Sequence, residues 1–477
     1  MTASTALSPL QQAADRWPDA CALRWGDTRL SYRELALKAR HIGAALKQAG
    51  IKRLGVIGRN SPEQVLLYWG CVEAGSLFCP LSWRFPKAQL EKLAGRLELD
   101  AIYYGDPQIP RLGAIDEFSV TACPNTHTET DTPEPGLIDW QAPVNLVLTS
   151  GSSGEPKAAL HSLANYMASA TGSASLIPLK PGDSWLLSLP LFHIGGLAIL
   201  HRCVLEGACV AIPTERTLSD SLAQLKPTHV SLVAAQLSEL LGQAPERLSS
   251  VKALLLGGGA MPVSLLESVK ALGIAAFSSY GMTEMSSQIT TGPANSEGAS
   301  GTLLPGRQLR IEDGEIQVRG DTLFLGYLTP NSIERPLTID GWFATRDKGH
   351  LDADGRLFVA GRLDNMFVCG GENLQPEEVE AALCRHPAIA EALVFALADA
   401  RFGNLPHAML RLRQDSGTMP SQAELDAFLA SHIARFKRPR RYFAWPENAW
   451  HETGSSGLKP NRKALIQALL AREGLKG

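Results

Sequence analysis

Apolar and polar positions in the first hundred residues alternate between a helical and a strand rhythm. Tyr32-Arg33-Glu34-Leu35 opens an amphipathic helix behind Ser31, with Glu34 placed three residues on to complete a capping box. The helix runs towards Gly50, a residue suited to the left-handed C-cap. Leu54 to Ile57 reads as a short apolar strand, and Ser61-Pro62-Glu63 starts the next helix. This β-α-β-α order predicts an α/β fold with a largely parallel sheet. Further strand-then-loop units are expected at 145–149, 185–189, 230–233, 251–256 and 274–278, while the Pro- and Thr-rich stretch 121–143 reads as a surface connection. Short strands at 310–318 and 357–359, with Asp313-Gly314 and Asp354-Gly355 turns, predict an antiparallel β subdomain. After Asp364 the pattern changes to a Gly-rich loop, a helix at 376–385, a strand at 392–396, a helix near 422–434 and a last helix after Arg462. That segment is the right size for a separate α+β domain, so the expected division is 1–363 and 364–477.

Composition narrows the partners. Lys plus Arg number 45 against 48 Asp plus Glu, a net charge of −3, which lacks the basic excess of a constitutive nucleic-acid binder. No run of 18 apolar residues occurs, so no membrane span is expected. The first residues carry neither a basic nor an apolar leader pattern, and eight cysteines include no Cys-x-x-Cys pair. We read reduced thiols in a cytoplasmic protein.

Five motifs carry candidate chemistry. Thr149-Ser150-Gly151-Ser152-Ser153-Gly154-Glu155-Pro156-Lys157 combines glycines that admit phosphate oxygens to backbone N–H groups, hydroxyl donors and a terminal cation. Composition alone would equally suit a flexible turn; the apolar strand before it and the Lys favour the cradle. Ser279-Tyr280-Gly281-Met282-Thr283-Glu284 offers an aromatic for a base, a close turn, a hydroxyl and a carboxylate, though taken alone it reads more readily as a plain turn. Leu256-Gly257-Gly258-Gly259-Ala260 requires something to lie against its backbone, a ligand or a tight strand–helix turn. Gly361-Arg362-Leu363-Asp364 leads into Gly370-Gly371 and a helix whose Pro376 suits the first position. Gly457-Leu458-Lys459-Pro460-Asn461-Arg462 supplies a late lysine, which taken alone reads as a surface residue. His193 stands in an apolar run, where a core histidine is the plain reading. Arg202 is costly in such a stretch unless paired, so it reads as a structural ion pair or as a receptor for an anionic ligand. The basic run at Arg435, Lys437, Arg438, Arg440 and Arg441 reads as a solvated face, with a docking surface for ligand phosphates as the lesser alternative.

In this order and spacing the five motifs resemble the adenylate-forming superfamily of acyl- and aryl-CoA synthetases, over essentially the whole chain. Asp183 to Gly196, with Arg202 beyond it, is similar to the 2-succinylbenzoate–CoA ligases of menaquinone biosynthesis. The resemblance implies an α/β N-terminal domain with a β subdomain, a small mobile C-terminal α+β domain, and an ATP-dependent ligation through an acyl-adenylate. It implies ATP, Mg2+ and CoA, with an aromatic keto-dicarboxylic acid as the substrate; a homo-oligomer stays open. By the same resemblance, Ser150 to Gly154 with Thr149 and Lys157 cradle the triphosphate, and Gly258, Gly259, Ala260 and Ser279 to Thr283 line the nucleotide. Glu284 with Thr149 holds the metal, Asp347 the ribose, and Arg362 the ribose or phosphate. Lys459 bridges the carboxylate and α-phosphate, while His193, Arg202 and Gly258 face the acid. Asp364 is the hinge, and Gly370 and Gly371 line the CoA channel. Two departures stand out: Leu458 precedes the lysine where the family has Gly, and Arg346 takes the glycine position of Thr-Gly-Asp. Other readings are another aryl- or acyl-CoA ligase, an enzyme that loads a carrier protein and a nucleotide-binding protein without catalysis.

Overall fold

The computed structural model describes residues 5–113, 115–120, 133–149, 156–215, 217–257, 263–330, 332–369, 372–399, 403–413, 418–446 and 462–475. Local chemistry sets the first elements. Ser31 Oγ accepts the Glu34 N–H and the Glu34 carboxylate accepts the Ser31 N–H, opening helix Tyr32–Gln48. Gly50, at φ +68°, turns the chain out of that helix into strand Arg53–Ile57. Pro62 then starts helix Pro62–Ala74 under a Ser61 cap.

One eight-stranded sheet runs in the order Ile333–Glu334, Gly326–Leu328, Lys157–Ser162, Pro143–Thr149, Leu77–Leu81, Arg53–Ile57, Ala101–Tyr104, Asp116–Glu117. The pairs from Pro143–Thr149 onward are parallel, and the three strands before it are antiparallel. A nine-stranded sheet places Ala275–Met282, Ala253–Gly257, His229–Leu232, Ser184–Leu186, Cys209–Ala211 and Cys21–Trp25 side by side and parallel, with antiparallel strands at both edges. The expected parallel α/β architecture is therefore present. A four-stranded sheet orders Arg307–Glu312, Glu315–Gly320, Phe343–Leu351 and Leu357–Arg362. Its first turn is the expected Asp313-Gly314 pair, at φ +50° and +78°.

Two expectations change. Strand 185–189 stops at Leu186, and helix Ile194–Glu206 follows, unanticipated. Gly196 to Val204 are all buried, so no polar face marks its period. Ser279 to Met282, read as a turn, instead extends strand Ala275–Met282, and the chain reverses at Thr283–Met285. A Cβ on Gly281 would lie 2.1 Å from Ser287 O, so its glycine serves close strand pairing.

The chain packs as two units. One comprises Met1–Leu309, Val318–Ala344 and Gly355–Leu357; the other comprises Arg310–Gln317, Thr345–Asp354 and Phe358–Gly477. In the second, strands Ile389–Asp399, Gly403–Leu412 and Tyr442–Ala444 form a sheet, with helices Pro376–Leu383 and Gln422–Ala430 covering a core around Val379, Val394 and Leu425. The division at 363/364 read from the sequence stays a proposal. Among the described residues the cysteines are free thiols, and no helix is long and apolar enough to cross a membrane.

Candidate active site

Thr149 and Lys157 end and begin two antiparallel strands and are register partners. The pairing thus brings together the first and last members of the proposed phosphate loop. Ser150, Gly151, Ser152, Ser153 and Gly154 between them lie outside the described residues, as do Gly258, Gly259, Ala260, Gly370, Gly371 and Lys459.

Glu284 sits on the turn Thr283–Met285 and is only 7% exposed. Its Oε1 accepts the Tyr327 hydroxyl at 2.6 Å, and its backbone carbonyl accepts the Phe324 N–H at 2.8 Å. The neighbouring Thr283 carbonyl accepts His161 Nε2–H at 2.8 Å, which sets the tautomer, since a carbonyl cannot donate. Burial lowers the His161 imidazole to about 4 and keeps it neutral. Lys157 Nζ stands 4.9 Å from the centre of the Tyr327 ring. The carboxylate and the Thr149 and Thr283 hydroxyls are all hard oxygen donors, the set that suits Mg2+ carried on nucleotide phosphates. Among the described residues no group of three or more His, Cys, Asp or Glu forms a metal cage. Tyr280 is buried, Ser279 Oγ donates to Thr290 O, and Met282 and Thr283 are half-buried.

Helix Ile194–Glu206 carries the acyl-side candidates. His193 is its N-cap, half-buried, with the Phe192 ring 4.7 Å away. Asn60 braces the approach: its Nδ2 donates to Leu187 O and Leu189 O, and its Oδ1 accepts the Leu191 N–H. Arg202 is 4% exposed. Its Nη2 donates to Gln288 Oε1 at 2.7 Å and to Ser287 Oγ at 3.3 Å, and its guanidinium lies 5.0 Å from the Trp185 ring. Gln288 is itself oriented, because its Nε2 donates to Thr291 Oγ1 and its carbonyl oxygen accepts Arg307 Nε. No described carboxylate lies within ion-pair distance of Arg202. Burial lowers its pKa to about 10, and the Arg307 charge adds to that.

In the second unit Arg362 Nη1 reaches Asp347 Oδ1 at 3.3 Å and its Nη2 reaches Asp364 Oδ2 at 3.3 Å. Arg346 Nη2 donates to Asp364 Oδ1 at 2.9 Å. Burial pushes the Asp364 carboxyl up, but the two guanidiniums outweigh it and hold it below its usual range. Arg346 has φ +64°, the left-handed region that glycine favours. Thr345 Oγ1 anchors the segment on Ile316 O and accepts the Asp347 N–H.

Motif reading therefore found the charged residues but missed Asn60, Gln288, Tyr327 and His161. Each acts through a partner far along the chain, and no local pattern marks it.

Residues 10–328 match the AMP-binding enzyme family and residues 378–454 its AMP-binding enzyme C-terminal domain. A 2–succinylbenzoate–CoA ligase of Escherichia coli (strain K12) is 34% identical over 452 residues, covering 94% of this chain and 95% of that protein. The o-succinylbenzoate CoA synthetase (MenE) of Bacillus subtilis, in complex with the acyl-adenylate intermediate OSB-AMP, superposes with a TM-score of 0.83 at 29% identity. That match covers 92% of this chain and 94% of the other. The same enzyme in complex with ATP and magnesium ion gives 0.82 at 29% identity, covering 92% and 96%. Near-complete coverage in sequence and in fold, on a chain whose strand pairing and one tight turn gather Lys157, Tyr327 and Glu284, leads to one assignment: this chain belongs to the AMP-binding enzyme family.

Proposed function

We propose that the chain is an AMP-forming 2-succinylbenzoate–CoA ligase. One carboxylate of the acid attacks the α-phosphate of ATP, the bond to pyrophosphate breaks, and an acyl-adenylate forms. The CoA sulfur then attacks the acyl carbon, AMP leaves, and the thiol proton is released to solvent. Mg2+ bound with the nucleotide offsets phosphate charge when present. Glu284 and Thr149 would hold it, with Lys157 facing the phosphates. Asp347 accepts the ribose hydroxyls and Arg362 steadies that carboxylate. Lys459 neutralises the charge built up between the attacking carboxylate and the α-phosphate. His193 borders the acyl group. Free cysteines among the described residues fit a cytoplasmic location.

The observation that carries the dicarboxylate is Arg202, a buried cation oriented by Gln288 and Ser287 with no described acidic partner. A fixed guanidinium of this kind recognises the carboxylate that the reaction leaves intact. Pyrophosphate release with ATP, Mg2+ and CoA tests the reading over 2-succinylbenzoate, benzoate and medium-chain fatty acids. 2-Succinylbenzoate should give the highest kcat/KM, with a CoA thioester as product. Equal turnover of benzoate, or a product formed only on a carrier protein, would overturn it.

A further inference from the structure

The strand register places three groups on one face. Tyr327 is the partner of Ala159 on strand Lys157–Ser162, and Lys157 lies two residues earlier on that strand, so both side chains point the same way. Glu284 reaches this face because its backbone is tied down on both sides: Phe324 N–H holds its carbonyl, and His161 holds the carbonyl of Thr283. Only the side-chain torsions of Glu284 remain to be set. The Tyr327 hydroxyl helps set them, donating to Oε1 at 2.6 Å, while its ring faces the Lys157 ammonium at 4.9 Å. A half-buried tyrosine thus touches the metal-side carboxylate with its polar end and the phosphate-side cation with its apolar face.

We propose that Tyr327 is a positioning residue. Its hydroxyl orients Glu284 for the divalent cation and its ring places Lys157 for the phosphates, coupling the two halves of the triphosphate site. This rests on the ligase reading above. The two functions separate by substitution. Tyr327→Phe keeps the ring and removes the hydroxyl; Tyr327→Leu removes both.

The test is equilibrium binding to the full-length protein. Mn2+ binding is followed by electron paramagnetic resonance in the presence of a non-hydrolysable ATP analogue, and binding of the same analogue without metal is followed by calorimetry. Tyr327→Phe should weaken Mn2+ binding about tenfold, the lower end for a hydrogen bond to a charged group, and leave metal-free nucleotide binding within twofold. Tyr327→Leu should add a loss of roughly two- to fivefold in metal-free binding, the scale of an exposed cation–π contact. Both variants should keep the wild-type circular dichroism. Unchanged or tighter Mn2+ binding by Tyr327→Phe would overturn the proposal, as would equal loss of metal-bound and metal-free nucleotide. If the wild type binds neither nucleotide nor Mn2+, the ligase reading itself falls and takes this proposal with it. If the wild type binds both and Tyr327→Phe matches it, only the positioning role falls.

Discussion

Arg202 and Arg307 place two guanidiniums in the interior of one unit, and burial lowers both to about 10. Arg307 is satisfied by the backbone carbonyls of Gln288, Pro305 and Ser169. Arg202 has a side-chain amide and a hydroxyl, which orient it without cancelling its charge. A bound carboxylate would gain about 1.5–3 kcal/mol from such a charged hydrogen bond. Arg202→Ala should therefore raise KM for 2-succinylbenzoate roughly 10- to 100-fold. KM for ATP should stay constant, and an analogue lacking the distal carboxylate should be indifferent to the change. Steady-state kinetics with both acids decide it: parallel losses would make Arg202 a structural residue. Arg346 belongs to the same scale. Its left-handed backbone explains why the resembled family has glycine there, and its ion pair with Asp364 is what an arginine adds. The sequence showed the departure, but the partner lies 18 residues away and became visible only in the fold.

Among the elements, helix Ile194–Glu206 shows how a site can depend on a residue without chemistry. A Cβ on Gly196 would meet Pro190 O at 2.2 Å and Leu189 O at 2.7 Å; Asn60 Nδ2 holds the second of these, and the first accepts the His193 N–H. Gly196→Ala should cost about 1–3 kcal/mol, read as a lower urea midpoint, because the helix start must move. His193, its N-cap, would move with it. A midpoint equal to wild type would mean that the loop yields freely. The second element is the short turn Leu363–Asn365, where Asp364 is clamped by Arg346 and Arg362. Proline fixes φ near −65° and restricts the residue before it. Asp364→Pro should impair one half-reaction, adenylate formation or thioester formation, far more than the other. Comparable rates in both, measured separately, would put the pivot elsewhere.

At the level of the whole molecule, four imidazoles among the described residues are held neutral by burial: His161, His229 and His407 at about 4 and His201 at about 3. The unfolded chain binds a proton at each of these near its ordinary pKa of about 6.5. Lowering the pH from about 6.5 to about 4 therefore favours the unfolded state, and this contribution is fully present above about 6.5. Burial raises Glu73, Glu206 and Glu380, which pushes the other way, but three carboxyls do not cancel four imidazoles. Urea midpoints should fall steadily across that window; a flat profile would refute the buried neutral histidines.

What the sequence determined by itself was local. Ser31 with Glu34, Pro62, Asp313-Gly314 and Pro376 specify their helix starts and turn through hydrogen bonds and dihedrals among near neighbours, and each stands where it was read. The charged motif residues were legible for the same reason, because a carboxylate or guanidinium announces its chemistry wherever it sits. Tertiary structure alone decided what those charges meet. Tyr327 and Glu284 are 43 residues apart, and Arg202 and Gln288 are 86 apart. Such pairs depend on strand order and register, which pattern does not encode. The Arg202 helix was hidden for a related reason: burial on all sides removes the polar face by which a helical period is recognised.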